Sequence, residues 1–357
     1  VLHTAGITVR TYAIWNNKGG VGKSYLAFQI SCEYARLHPG KKVLIVDVCP
    51  QANASGMLLG GLARGDAELD RLAATSPLLT ISGYIEDRIR SPYVDPMTGG
   101  RYVLQVSSRN DEVPSNLYLI PGDEQLELQA SRVVGATTPG PQDAWRIVRQ
   151  WLSDLIKDVT SNTDEWVVFF DCNPSFTVYT ELALSASDRL IIPFTADGAS
   201  RRAVRCILAL VYGVPRNPGN QQSQYYLQSQ YYRMTTPRIY SYVGNRLTQH
   251  RGAATAFDKI VGEIGREIFA VWQSNPNNFS IHPGGSPPPR TPAEFKKMFQ
   301  AEIRDANTAS VVSSSVGKPL FNLRAGPVDL SGKRVEVSQS QLDALKPNLE
   351  DFVKTIE

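Results

Sequence analysis

The stretch NNKGGVGKS, Asn16 to Ser24, decides how this chain is read. It follows the apolar run TYAIW (Thr11–Trp15). It precedes a segment with apolar residues at 26, 27, 30, 34, 35 and 37, the spacing of one helix face. A glycine-rich turn between a strand and a helix points its backbone N–H groups inward as an anion nest, and the helix start adds a positive dipole end. Gly19, Gly20, Val21 and Gly22 make that turn. Lys23 is then placed to reach β- and γ-phosphates, Ser24 offers a hydroxyl suited to Mg²⁺, and Tyr25 continues the cradle. The ordinary pattern, G-x-x-x-x-G-K-[ST], would put glycine at position 17. This chain has Asn17 and then Lys18, so the loop carries a second cation.

Outward from the loop, short apolar strands alternate with helices. KVLIV (Lys42–Val46) ends at Asp47, LYLI (Leu117–Ile120) at Pro121-Gly122, and WVVFF (Trp166–Phe170) at Asp171. LIIP (Leu190–Pro193) and Ile239–Val243 continue the series, and Ala144–Val159 is amphipathic. This alternation predicts an α/β fold of the P-loop NTPase kind, a mostly parallel sheet with helices on both faces. Ligands of such sheets sit at strand carboxyl ends, where Lys18, Asp47, Asp171 and Asn245 all fall. The chain is read as a single domain, 1–357. A polar insertion near 214–237 contains QSQYY twice (222–226 and 228–232), its tyrosines read chiefly as anchors of a loop. A Pro/Gly-rich loop lies near 275–292 and an amphipathic helix near 339–356.

The chain has 357 residues, 42% of them hydrophobic, enough for a sizeable core. No run of eighteen apolar residues exists to span a membrane. The start, VLHTAGITVR, lacks the pattern of a signal peptide. Cys32, Cys49, Cys172 and Cys206 form no CxxC pair, so neither a disulfide framework nor a zinc site is expected, and a cytoplasmic protein is. The formal net charge of +3 is unevenly spread. Residues 1–200 hold 17 Lys+Arg against 22 Asp+Glu, a net of −5, and residues 201–357 hold 20 against 12, a net of +8. Such asymmetry fits a polyanionic partner on one face, or simply a solvated basic surface.

The loop KGGVGKS resembles that of the deviant Walker A ATPases of the ParA/MinD family. The resemblance continues through VDVCPQAN (Val46–Asn53), NLYLIPGDEQLELQ (Asn116–Gln129) and FFDCNPSF (Phe169–Phe176). It extends to LIIPFTADGASRRAV (Leu190–Val204), VGNRLTQ (Val243–Gln249) and SVGKPL (Ser315–Leu320), in the family's order and over most of residues 10–325. It implies ATP/ADP and Mg²⁺ as cofactors, with Lys18 crossing to the partner subunit of an ATP-sandwich homodimer. It implies Ser24, Asp47 and Asp171 around the metal, with Lys18, Lys23 and Asp47 serving hydrolysis. Asn245 and Arg246 are implied on the adenine side, with Pro193 walling the base.

One departure bears on rate. Cys49 stands where the family usually has a second aspartate, and a neutral thiol replaces that acid poorly, so slow hydrolysis is expected. Asn173 also replaces the first proline of the Walker B pair. Iron–sulfur ATPases of the superfamily carry their cysteines elsewhere along the chain, so Cys49 and Cys172 are not read as cluster ligands. The resemblance implies a nucleoid-associated partition ATPase that binds DNA non-specifically and answers to a ParB-like adaptor. Arg201, Arg202 and Arg205 are candidate phosphate contacts, as are Lys296, Lys297, Arg304, Lys318, Arg324, Lys333 and Arg334. About fifteen residues precede the loop, too few for a helix-turn-helix. One alternative is a non-catalytic ATP switch for another cargo. Another is a MinD-like membrane-positioning ATPase. The latter is disfavoured because the C-terminal helix, with Lys346 and Lys354 against Asp343, Glu350, Asp351 and Glu357, carries a net of −2 and suits packing better than anionic lipid.

Overall fold

Side chains of the unbroken apolar runs point alternately to the two faces, so one sheet buries both of its faces. The computed structural model describes all residues except 1, 5–6, 162–163, 216–218, 220, 248–253, 305–306 and 331; the side chains of 2–4, 7–8, 246–247, 254–257 and 307 also lie outside the description. The strands in chain order are β1 (Leu2–Thr4), β2 (Ile7–Ile14), β3 (Lys42–Asp47), β4 (Leu104–Gln105), β5 (Leu117–Ile120) and β6 (Trp166–Asp171). They continue with β7 (Arg189–Phe194), β8 (Arg238–Leu247), β9 (Gln300–Arg304), β10 (Gly326–Leu330) and β11 (Lys333–Val337). The main sheet runs β4-β5-β3-β6-β2-β7-β8-β9, with β1 attached to β2. Neighbours are parallel except at the β4–β5 edge and the β1–β2 extension. β10 and β11 form a separate hairpin.

Val43, Ile45 and Phe169 face the helix Lys23–Leu37, sharing a core with its Leu26, Ala27 and Ile30. Leu44, Val46, Val168 and Phe170 face the opposite way, into a core with Trp151, Leu155 and Leu182. Burial on both faces explains why these strands read as unbroken apolar runs.

Several expectations are refined. Ala144–Val159 is two helices, Ala144–Arg149 and Trp151–Val159. The insertion near 214–237 contains a helix, Gln224–Tyr231, whose start Ser223 caps by accepting the Tyr226 N–H. Tyr225 is buried beside Trp145 and Phe176, and Tyr232 stacks on Trp145, so these tyrosines do anchor the segment. The Pro/Gly-rich loop ends in a capping box, Thr291 with Glu294, that starts the helix Pro292–Phe299. β9 follows it and pairs with β8 in the main sheet. On the C-terminal helix Gln339–Val353, Leu342, Leu345, Leu349 and Phe352 are buried in the same core as the helix Lys23–Leu37, which leaves no apolar face for lipid.

Candidate functional site

β6 lies between β2 and β3, so the strand ends converge. Asp47 stands opposite Asp171 across β3–β6, and Ile14 opposite Asp171 across β2–β6. The glycine loop rises directly from this line. Gly20 (φ 74°) and Gly22 (φ 80°) adopt the left-handed conformation that favours glycine. A Cβ at Gly19 or Gly20 would meet nothing within 4 Å, so this backbone borders open space. That space is a cavity of about 550 Å³, in the range of small-molecule sites. Gly19, Gly20, Gly22, Lys23, Ser24 and Tyr25 line one side, and Cys49, Gln51, Met57 and Asp66 line another.

Lys23 is buried, and its ammonium donates to the Lys18 carbonyl at 2.8 Å, closing the loop on itself. Burial lowers its pKa, opposed first by the charge of Asp171. Asp171 is fully buried, and neither of its carboxylate oxygens has a hydrogen-bond partner among the described residues. Burial, and next the charge of Asp47, push its pKa well above the carboxylate range, while the nearby Ser24 hydroxyl and Lys23 favour ionisation. An unsatisfied buried carboxylate beside Ser24 and a lysine is costly unless something fills it. Its chemistry fits a hydrated Mg²⁺.

Asp47 sits differently. Its Oδ1 accepts from the Cys49 N–H at 3.1 Å, and its Oδ2 accepts from the Ser55 N–H at 3.0 Å and the Ser55 hydroxyl at 2.7 Å. Burial lifts its pKa to about 6 against those hydrogen bonds. Both oxygens brace the turn after β3; like Asp171, Asp47 lies behind the residues that line the cavity, but its oxygens are already committed. Cys49 does line it, nearly buried. Burial, then Asp47 and Asp171, push its thiol up to about 12, so the thiol is neutral at pH 7.

Asn245 comes to the phosphate loop. Its buried amide donates to the Val21 carbonyl at 2.8 Å, which braces the turn. The side chain of Arg246 lies outside the described residues. The Pro193 carbonyl accepts from the Asn16 amide at 2.6 Å, a second brace.

Lys18 is held within its own chain, by Thr195 (2.9 Å), Ser200 (3.3 Å) and an ion pair with Asp197. Neither this trio nor Asp66 was singled out from the sequence. For Asp197 a signal existed, an aspartate before a helical run, which is an N-cap pattern. The proposed arginine cluster needs correction. Arg201 pairs with Glu263 (2.8 Å) and Glu267 (2.5 Å), and Arg205 also pairs with Glu267, leaving Arg202 as the exposed cation of that group. Lys296 and Lys318 are likewise paired, with Glu302 (3.8 Å) and Glu112 (2.6 Å). Among the described residues no group of three or more His, Cys, Asp or Glu is placed to hold a metal, and no helix is long and apolar enough to cross a membrane.

Comparison with known proteins agrees with this geometry. The family described as AAA domain matches residues 9–222. The chromosome partitioning protein ParA of Caulobacter vibrioides is 27% identical over 190 residues, 53% of this chain and 57% of the relative. The sporulation initiation inhibitor protein Soj of Bacillus subtilis is 28% identical over 185 residues, 52% of this chain and 58% of Soj. The chain thus spans little more than half the length of these curated relatives. A substituted form of Cyanothece McdA in complex with ATP shares the fold at a TM-score of 0.56 and 17% identity, over 98% of this chain and 96% of that one. A P-loop cradle at the carboxyl ends of a mostly parallel sheet, with a matching family over more than half its length, places the chain in the AAA domain family, with the partitioning protein ParA and Soj among its relatives.

Proposed function

We propose that this protein is an ATP-dependent, dimerising partition ATPase that binds DNA without sequence preference in its ATP state. A ParB-like adaptor stimulates its slow hydrolysis. One observation carries the reading: the unpartnered carboxylate of Asp171 lies beneath the glycine cradle, next to Lys23 and Ser24. In this reading the N–H groups of Gly19 to Ser24 bind the phosphates, and Lys23 leaves the Lys18 carbonyl for a phosphate oxygen. Ser24 and Asp171 hold Mg²⁺, which when bound neutralises phosphate charge. Asp47 supports the metal site through the turn it braces. Lys18, supplied to a second subunit, stabilises charge developing on the γ-phosphoryl group.

The neutral thiol of Cys49 favours a long-lived ATP state, and this also supports the second reading, a switch that hydrolyses ATP negligibly. Equilibrium DNA binding, titrated with salt, tests the proposal in ATP, in ADP and without nucleotide. Tight binding in ATP alone, weakening steeply with salt, is expected. Absence of DNA binding in every state would reject the partition role. ATP-dependent DNA binding with no measurable turnover, even with the adaptor, would select the switch.

A further inference from the structure

The repeated motif QSQYY is out of phase with the helix that carries it. Its copies start six residues apart, about one and two-thirds turns, so equivalent tyrosines leave the helix Gln224–Tyr231 on different sides. Tyr225 of the first copy is buried, whereas Tyr231 of the second is 68% exposed. Leu227, one turn before Tyr231, is exposed as well, so the helix turns an apolar stripe to solvent. Tyr231 packs edge-on against Tyr232, which stacks on Trp145, and the three rings form a continuous rim. Just beyond the rim the helix stops. The Met234 N–H donates to the Ser229 carbonyl at 2.8 Å and the Arg233 N–H to the Gln230 carbonyl at 3.1 Å, the paired bonds of a Schellman motif. Such a stop needs a left-handed residue, ordinarily glycine, and here it is Arg233 at φ 52°. The strain has no return within the fold. The Arg233 side chain is exposed and makes no hydrogen bond or ion pair among the described residues.

Arg233 instead lines a cavity of about 370 Å³ together with Arg146, Lys157, Tyr232 and Asp188. Asp188 precedes β7, so this cavity lies at the amino end of the parallel strands, away from the glycine loop, and it shares no lining residue with the nucleotide cavity. Two of its three cations already have acids, Arg146 pairing with Asp143 and Lys157 with Asp154 at 3.6 Å. We infer that, independently of the nucleotide site, this cavity docks an acidic segment of a partner protein. A single Asp or Glu side chain of the partner enters beside Arg233, and an apolar neighbour on the same segment covers Leu227 and Tyr231. The charge balance selects that occupant. One unpaired guanidinium matches one carboxylate, whereas a nucleic-acid backbone needs a row of free cations, and Asp143, Asp154 and Asp188 stand around this one. Exposed tyrosine beside arginine is also the side-chain pairing that dominates binding energy at protein interfaces.

Fluorescence anisotropy on the full chain tests this with a labelled, end-blocked hexapeptide, ELLEEL, and its uncharged counterpart, QLLQQL. ELLEEL should bind saturably. Arg233→Gly should weaken it by about tenfold, the scale of a hydrogen bond to a charged group. QLLQQL should bind the wild type more weakly by a similar factor and should not distinguish it from Arg233→Gly. Glycine suits the helix stop, so the variant should melt at or above the wild-type temperature with unchanged ATP turnover. Arg233→Lys should keep most of the affinity for ELLEEL, and Tyr231→Ala should weaken both peptides alike. Failure of ELLEEL to bind the wild type at millimolar concentration overturns the inference. So does an equal loss of ELLEEL and QLLQQL in Arg233→Gly, or a lower melting temperature there with binding intact, which would make Arg233 a part of the helix end alone. A thymidine hexanucleotide that displaces ELLEEL at lower concentration than unlabelled ELLEEL does would overturn it in favour of nucleic acid.

Discussion

Cys49 is the residue whose replacement tests the proposed slow turnover. It lies on the cavity wall, two residues beyond Asp47 and close enough to Asp171 for that charge to act on its thiol. A thiol held up to about 12 accepts no proton from water at neutral pH and offers a weak hydrogen-bond acceptor. Cys49→Asp should therefore raise unstimulated kcat by about tenfold or more, within the range credited to a positioned acid–base group. Phosphate release under saturating ATP measures it, and an unchanged rate would show that another group sets the turnover. Asn245 teaches a different lesson. Its position after a strand was legible, but its buried amide is committed to the Val21 carbonyl, a partner 224 residues away. No local pattern announces such a brace.

Among the elements, the cavity wall depends on glycines that let two helices touch. A Cβ at Gly65, in the helix Gly61–Ala73, would sit 2.1 Å from the Gly56 carbonyl oxygen of the helix Asn53–Leu58. The clash is with backbone and cannot be relieved by a rotamer change. This contact sets Asp66 on the wall, its Oδ1 3.6 Å from where a Gly56 Cβ would be. Gly65→Ala should cost about 1–3 kcal/mol through overpacking and weaken nucleotide binding as the wall moves. Thermal melts with and without ATP check both effects, and an unaltered melting temperature would mean the helices separate freely. Neither helix stands out in the sequence, because NASGML is six residues long and the amphipathic GLARGDAELDRLA has only three leucines for its apolar face. β9 is hidden for a related reason: QAEIR is an edge strand with one buried residue, Ile303.

At the scale of the molecule, Arg189 ties the sheet to the C-terminal segment. Its guanidinium donates to the Tyr12 hydroxyl (2.7 Å) and the Glu357 carboxylate (2.9 Å), and lies 5.2 Å from the centroid of the Tyr12 ring and 5.3 Å from that of Tyr240. The Tyr12 hydroxyl in turn donates to the Glu357 backbone carbonyl at 2.9 Å. Arg189→Ala should destabilise the protein by about 2–3 kcal/mol, somewhat less than breaking a fully buried pair, because both partners keep some exposure. Urea denaturation should show a lower midpoint at an unchanged slope. A midpoint within error of wild type would mean the segment is held by its apolar contacts alone.

What the sequence determined by itself is local and periodic: the glycine loop between a strand and a helix, the apolar runs of β3, β5, β6 and β7, and the acids that end β3 and β6. Backbone sterics and burial on both faces impose those patterns within a few residues, so they can be read without a partner. Tertiary structure decided what each polar group does with its charge. It turned Asp47 onto Ser55, left Asp171 unpaired among the described residues, clamped Arg201 and Arg205 onto Glu263 and Glu267, and moored Lys18 to Asp197. Hydrogen bonds and ion pairs act over about 3 Å between groups far apart in the chain, and only the folded sheet brings those groups together.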